Sequence, residues 1–202
     1  LVRLERHWLA RAIEALLVIE AEREPFTVIA TEQERRLRLD RRTLDVRIDR
    51  IDRLEGGETV LIDYKTGRGE PARWTGPRPD QPQLPTYAAH LDATPVAVAL
   101  AKLPLAVVGF RGLAARADVL PGVRALHQFR HEALRDRSWA SLIEEWRRVT
   151  VDLVEAYASG VADVDPAEGA CRYCELGGFC RIDERAAESE ADEATPEDAD
   201  GD

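Results

Sequence analysis

Between Phe26 and Tyr64 the chain alternates β-branched or aliphatic residues with polar ones in three runs: Phe26 to about Leu39, Leu44 to Leu54, and Thr59 to Tyr64. A period of two marks strands, and the signals that separate the runs are short, Asp40 to Arg42 in the first gap and Gly56-Gly57 in the second. The pattern predicts an antiparallel meander, which must find its core on the faces of the sheet. Ahead of it, Leu1, Leu4, Trp8, Ala12, Ala15, Leu16 and Ile19 recur at helical spacing and predict an amphipathic helix to about Glu22. Downstream, Gly67 to Asp80 reads as a loop, and about Pro82 to Leu91 as a helix that tolerates Pro82 in its first turn and is shortened or strained by Pro85. Val96 to Leu103 and Leu105 to Phe110 read as strands, and Ala114 to Arg137 as a weakly patterned connection. Ser138 can cap a long helix through about Ser159, with Trp139, Leu142, Ile143, Trp146, Val149, Leu153 and Tyr157 on its buried stripe and Gly160 at its end. This order of elements predicts an α/β layered domain with a mixed sheet.

A chain of 202 residues can bury one sizeable core. Its longest apolar run, Val96 to Leu105, is interrupted by Lys102 and Pro104 and is too short to span a bilayer. With no leader pattern at the start, a cytoplasmic location without membrane attachment is the expectation. The helix begins at Leu1 in mid-pattern with no capping residue, so the chain is expected to be a piece of a longer protein. The net charge of -10 sits mostly in one place: residues 182–202 carry ten acids and a single base, Arg185. That stretch has no aromatic residue and is read as a disordered acidic tail, which makes residues 1–181 the folded domain. The body is then close to neutral, and nucleic-acid binding stays open.

Among the 28 basic residues only Lys65 and Lys102 are lysines. Arginine keeps its proton at any accessible pH, whereas a lysine can act as a base or orient a water, so a lysine in this background needs a reason. Lys102 is read as a solvated residue without a role. Lys65 has better company, since strand alternation places Leu61, Asp63 and Lys65 on one face. Closing the hairpin at Gly56-Gly57 brings Asp49 beside Asp63, provided the loop is longer than two residues or a bulge intervenes between Arg50 and Glu58. A strict two-residue turn would pair Asp49 with Tyr64 and aim it at the wrong face. Two carboxylates held close repel one another, and a hard divalent cation is the usual relief. Magnesium or manganese would take Asp49, Asp63 and the backbone carbonyl of Tyr64, leaving Lys65 to orient or deprotonate a water for attack on a phosphate. The same residue types also make solvated strand faces with cross-strand ion pairs.

Three stretches, Ile48-Asp49-Arg50-Ile51-Asp52, then Ile62-Asp63-Tyr64-Lys65-Thr66-Gly67, then Gln83-Leu84-Pro85-Thr86-Tyr87, resemble in order three motifs of the RecB/AddB-type PD-(D/E)XK nucleases. The resemblance covers roughly Phe26 to Asp183. It implies a restriction-endonuclease-like α/β fold, a mixed sheet flanked by helices, and metal-dependent cleavage of DNA in repair or recombination, with a helicase subunit or domain as a possible companion. It also implies that Asp49 and Asp63 bind the metal, that Lys65 is the catalytic lysine and that Gln83 and Tyr87 lie close to the site. Gln83 and Tyr87 are four apart, so one helix face can present both. The sequence departs from the pattern in two places. Asp45-Val46-Arg47 lacks the usual glycine, and no counterpart of the family's N-terminal metal-site histidine is evident, His7 being read as an ordinary helix residue. A catalytically idle DNA-binding module of the same fold and a CRISPR-associated exonuclease are the alternative readings.

Cys171, Cys174 and Cys180 have the spacing of metal ligands, and clustered thiols in a cytoplasmic protein are more often ligands than disulfides. Three ligands are one short. The spacing resembles the C-terminal part of the iron–sulfur staple of AddB-type and CRISPR-associated exonucleases, which implies a [4Fe–4S] cluster in a longer protein whose fourth cysteine lies upstream; zinc and three unligated thiols are the alternatives. Arg68, Arg73 and Arg78, on the loop after the lysine strand, are expected to contact DNA phosphates. The arginines of the meander are read either as phosphate contacts or as partners in salt-bridged strand faces.

Overall fold

In the computed structural model, which describes residues 2–67, 69–130, 132–166 and 169–181, the meander begins with two long strands, β1 (Phe26–Leu39) and β2 (Arg42–Leu54), followed by the shorter β3 (Thr59–Lys65). The turn between β2 and β3 sets the register. Leu54 N–H donates to Glu58 O at 2.8 Å and Gly57 N–H to Leu54 O at 2.9 Å, and Gly57 has a φ of +88°. This is the three-residue loop that a left-handed glycine closes, one residue longer than the two-residue form. Arg50 consequently pairs with Ile62, Ile51 with Leu61 and Asp52 with Val60. The longer loop that the sequence demanded is therefore present.

The sheet continues through β4 (Ala97–Lys102), β5 (Gly109–Ala114) and β6 (Val123–Ala125), so that the strand order is the chain order. The pairs β3–β4 and β5–β6 are parallel and the others antiparallel, a mixed sheet with helices on its faces. One face carries α1 (Val2–Glu20), whose Ala12 and Leu16 pack on Val60, Ile62, Ala97, Ala99 and Phe110. The other carries α2 (Gln83–His90), a short α3 (Glu132–Arg135) and α4 (Trp139–Ala158), packed on Ile48, Ile51, Leu61, Val98 and Leu100. At its centre Trp146 meets Trp74 and Trp139 edge to face, and its Nε1 donates to Trp74 O at 2.7 Å. Pro85 does not break α2, because it lies in the first turn, where backbone N–H groups have no intrahelical acceptor.

Three expectations are corrected. Leu105–Val107 forms a 3₁₀ turn after Pro104, and the strand starts only at Gly109, whose φ of +143° is closed to side-chain-bearing residues. The connection after Ala114 contains β6. Tyr157 is 87% exposed, so the buried stripe of α4 stops short of it. The chain divides into two compact units, Leu1–Ala156 and Tyr157–Asp202. In the second unit a 3₁₀ turn (Ala170–Tyr173) precedes α5 (Gly177–Cys180), and the acidic stretch 182–202 lies outside the described residues. No described helix is long and apolar enough to cross a membrane.

Candidate active site

The two faces of β3 separate cleanly. Val60 and Ile62 point into the cluster under α1, and Leu61 into the cluster under α2 and α4. Asp63 continues the Leu61 face and is 2% exposed. Lys65 stands two residues on, with its Nζ 2.9 Å from Asp63 Oδ2, and it donates to Gln83 Oε1 at 3.0 Å. The contact with Oδ2 is at ion-pair distance but not in hydrogen-bond alignment, so this buried oxygen lacks an aligned donor. Burial pushes the Asp63 carboxyl up from its ordinary pKa. The charge of Asp49 adds to the shift, while Lys65 and Gln83 oppose it.

Asp49 sits where β2 departs from regular pairing. The β2–β3 ladder ends at Arg50 and Ile62, and the Tyr64 N–H beyond it donates to Asp49 Oδ2 at 2.9 Å. Ile48 and Ile51 are three apart yet share one core cluster, and Glu32 on β1 has a φ of +45°. Alternation therefore slips at Asp49, and its carboxylate faces the end of β3. From α2, Gln83 Nε2 reaches the Tyr87 hydroxyl at 3.4 Å, and that hydroxyl donates to Arg47 O at 3.4 Å. Asp49, Asp63, Lys65, Gln83 and Tyr87 are thus brought to one end of the sheet.

The donor set suits a hard cation in kind. Two carboxylates, one of them buried with an oxygen lacking an aligned donor, lie beside the backbone of Tyr64. It is sparse in number, since no group of three or more His, Cys, Asp or Glu side chains is gathered for a metal among the described residues. The same holds for the cysteines. Cys171 and Cys174 are exposed free thiols, Cys174 Sγ accepts from Leu176 N–H, and Cys180 Sγ donates to Gly177 O. The expected cluster ligation is not assembled in this structure.

Other predicted residues fare unevenly. Arg73 pairs with Asp80 at 2.6 Å, Arg78 is exposed and has an interaction of its own, and Arg68 lies outside the described residues. The meander arginines favour the salt-bridge reading: Arg36 pairs with Asp45 and Arg47 with Glu32. Lys102, read as solvated, is 6% exposed.

Sequence reasoning also missed a buried charge network behind the site. Asp52, 0% exposed, receives Arg50 Nε at 2.6 Å and Nη2 at 2.9 Å, and Arg23 Nη1 at 2.8 Å. Arg50 Nη1 also donates to Glu20 at 2.8 Å and to the Tyr64 hydroxyl at 3.0 Å. Burial works against the Arg50 charge, but its bonds to Asp52, Glu20 and Tyr64 more than offset this and raise its pKa. The signal was an Arg and an Asp two apart on a strand face whose partner strand offers only Val60 and Ile62.

The model of the PD-(D/E)XK nuclease superfamily matches residues 1–181. No curated protein matches the chain significantly. The solved structure described as "Crystal structure of SSO0001" is similar at 15% identity over 85% of this chain and 67% of that one, with a TM-score of 0.36, too low to support any inference.

Proposed function

The chain belongs to the PD-(D/E)XK nuclease superfamily, and from that premise we propose that it is a magnesium- or manganese-dependent deoxyribonuclease of the RecB/AddB type. One observation carries the proposal: buried Asp63 is held against Lys65 and Gln83, with Asp49 turned toward the same strand end. In this reading Asp49, Asp63 and the Tyr64 carbonyl would hold the metal, which when bound would polarise the scissile phosphate and acidify a water. Gln83 restrains the Lys65 amine by accepting one of its protons, and the others stay available to orient a water for in-line attack. Tyr87 steadies Gln83 from one helical turn away. Arg68, Arg73 and Arg78 would follow the DNA backbone on the loop after β3. The three motif stretches support an exonuclease role in repair or recombination, alongside a helicase. The three cysteines would join a fourth ligand in holding a [4Fe–4S] cluster.

The test is cleavage of labelled single-stranded and duplex DNA with Mg²⁺, Mn²⁺ or EDTA. Metal-dependent cleavage that Asp63→Ala and Lys65→Ala each abolish is expected. Undiminished cleavage by a folded Asp63→Ala protein would refute the assignment. The shortage of a third side-chain ligand favours one rival, a module that binds DNA without cutting it. Retention of DNA by a chain that shows no turnover with either metal would establish that rival.

A further inference from the structure

The two lysines of a chain with 26 arginines stand side by side. β3 ends at Lys65 and β4 at Lys102, and the two are register partners in the parallel pair. Neighbouring strands lie about 4.8 Å apart, and paired residues share a face. Asp63 pairs with Leu100 on that same face. Lys102 therefore stands on the face that carries Asp63 and Lys65, one strand over. The carboxyl ends of adjacent parallel strands are where open α/β sheets receive ligands.

A cavity of about 580 Å³ opens at this place, lined by Thr66, Gly67, Gly69, Gln81, Arg73 and Lys102 among others. Its walls are the loop that leaves β3 and the segment that enters α2, so it adjoins the candidate active site without including Asp63 or Gln83. Lys102 Nζ donates to Gly67 O, and among the described residues no carboxylate lies within ion-pair distance of it. Burying an ammonium costs several kcal/mol unless an anion compensates it. Among the described residues the rim carries one acid, Glu70, and one other base, Arg73, which Asp80 already engages. Gly69 lets the loop close over this point, since a Cβ there would come within 2.7 Å of Leu100 Cδ1 and 3.7 Å of Lys102 Nζ. The uncompensated charge is thus the lysine at the wall of the cavity.

We propose that this cavity is a phosphate-binding subsite with Lys102 as its cation, receiving a phosphate of the nucleic-acid strand next to the one that is cut. The identity of the strand as substrate rests on the nuclease reading above. A terminal phosphate and an internal phosphodiester offer the same chemistry to an ammonium, and the test separates them.

Single-stranded oligonucleotides of one sequence, ending in 5′-hydroxyl, 5′-phosphate or 3′-phosphate, are titrated by fluorescence anisotropy into the full chain without divalent metal, at several salt concentrations. Lys102→Gln should weaken binding severalfold and lower the slope of log K against log salt by about 0.7, the share of one phosphate contact on a single strand. Lys102→Arg should keep the slope. Loss confined to one phosphorylated end assigns a terminal phosphate, and equal loss on all three strands assigns an internal one. Unchanged affinity and slope in a Lys102→Gln protein that melts like the parent would overturn the proposal. Should that variant not fold, the parent chain labelled with ¹⁵N-lysine gives two backbone amide signals. The Lys102 signal must shift as the oligonucleotide saturates, and a stationary signal overturns the proposal equally. Because binding is read without cleavage, a chain that cuts nothing but needs Lys102 for its salt slope keeps this subsite and loses the nuclease reading. A chain that cuts but is indifferent to Lys102 does the reverse.

Discussion

Removing the Asp52 carboxylate should be among the most damaging changes available outside the candidate active site. Four charges, Glu20, Arg23, Arg50 and Asp52, balance to zero in the space between α1 and β2, with side-chain exposures of 9%, 1%, 10% and 0%. Asp52→Ala takes away the acceptor of a two-pronged contact from Arg50 and the partner of an ion pair with Arg23, and leaves two guanidiniums to share Glu20. Arg23 is already poorly served, because its Nε and Nη2 have no partner and its guanidinium rests on the Phe26 ring at 3.7 Å. Breaking a buried pair by deleting one member costs about 3–5 kcal/mol. Over a unit of this size that lowers the melting temperature by roughly 6–20 °C. Urea unfolding followed by circular dichroism measures the loss, which should appear as a lower midpoint at unchanged m-value. The double variant Arg50→Met, Asp52→Leu should recover most of it, since Arg23 and Glu20 remain a balanced pair and apolar replacements of a buried ion pair are often neutral. A loss below about 1 kcal/mol for Asp52→Ala is the range of a solvated surface pair and would refute the reasoning.

Three further outcomes are expected. Gly57→Ala should cost about 1–2 kcal/mol, because the loop holds this residue at a φ of +88° in open space, so that backbone strain is the whole penalty; a melting temperature equal to the parent's would show that the turn does not depend on a left-handed glycine. Gly112→Ala should destabilise severely, because a Cβ there would approach Val98 O to 2.1 Å and force β4 and β5 apart; a melting temperature indistinguishable from the parent's would contradict this close approach. His90 bridges Arg38 O at 3.0 Å and Thr150 Oγ1 at 2.8 Å. Its pKa is lowered by burial, with Arg147 adding and the bond to the Arg38 carbonyl opposing. The unfolded chain then takes up a proton more readily than the folded one. The His90 contribution to stability is complete above the unfolded value of about 6.5 and is lost as pH falls through the folded value. His90→Phe should flatten that part of the stability profile against pH, and an unchanged profile would reject the assignment.

The parts of this structure that are legible in the sequence are those governed by short-range chemistry. The meander strands, the helix carrying Gln83 and Tyr87 and the long tryptophan helix each follow from a period and a turn signal, and Asp63 and Lys65 share a face because strands alternate. The demand for a longer β2–β3 loop comes from counting residues. Features set by the tertiary environment are not visible. A three-residue strand such as β6 has no period of its own, and Leu105 to Phe110 looks like a strand because apolar content alone does not register Pro104 or the backbone of Gly109. The burial of Lys102 escapes the sequence because it depends on what packs around the charge. Asp49 reaches the site through a local slip in alternation that no pattern of residue types announces.

Strand order that matches chain order has a consequence for synthesis. Every group assigned chemistry at the candidate site and its neighbouring cavity lies between Asp49 and Lys102, on three strands that join the sheet one after another and on the loop and helix between the last two. A ribosome releasing this chain has delivered all of that chemistry before α4 is translated, and the remainder of the first unit adds Pro104 and Val107 to the cavity lining and the backing behind it. Inherited changes after residue 102 in that unit therefore reach the reaction by reshaping that lining or by loosening the wall against which the working half is pressed.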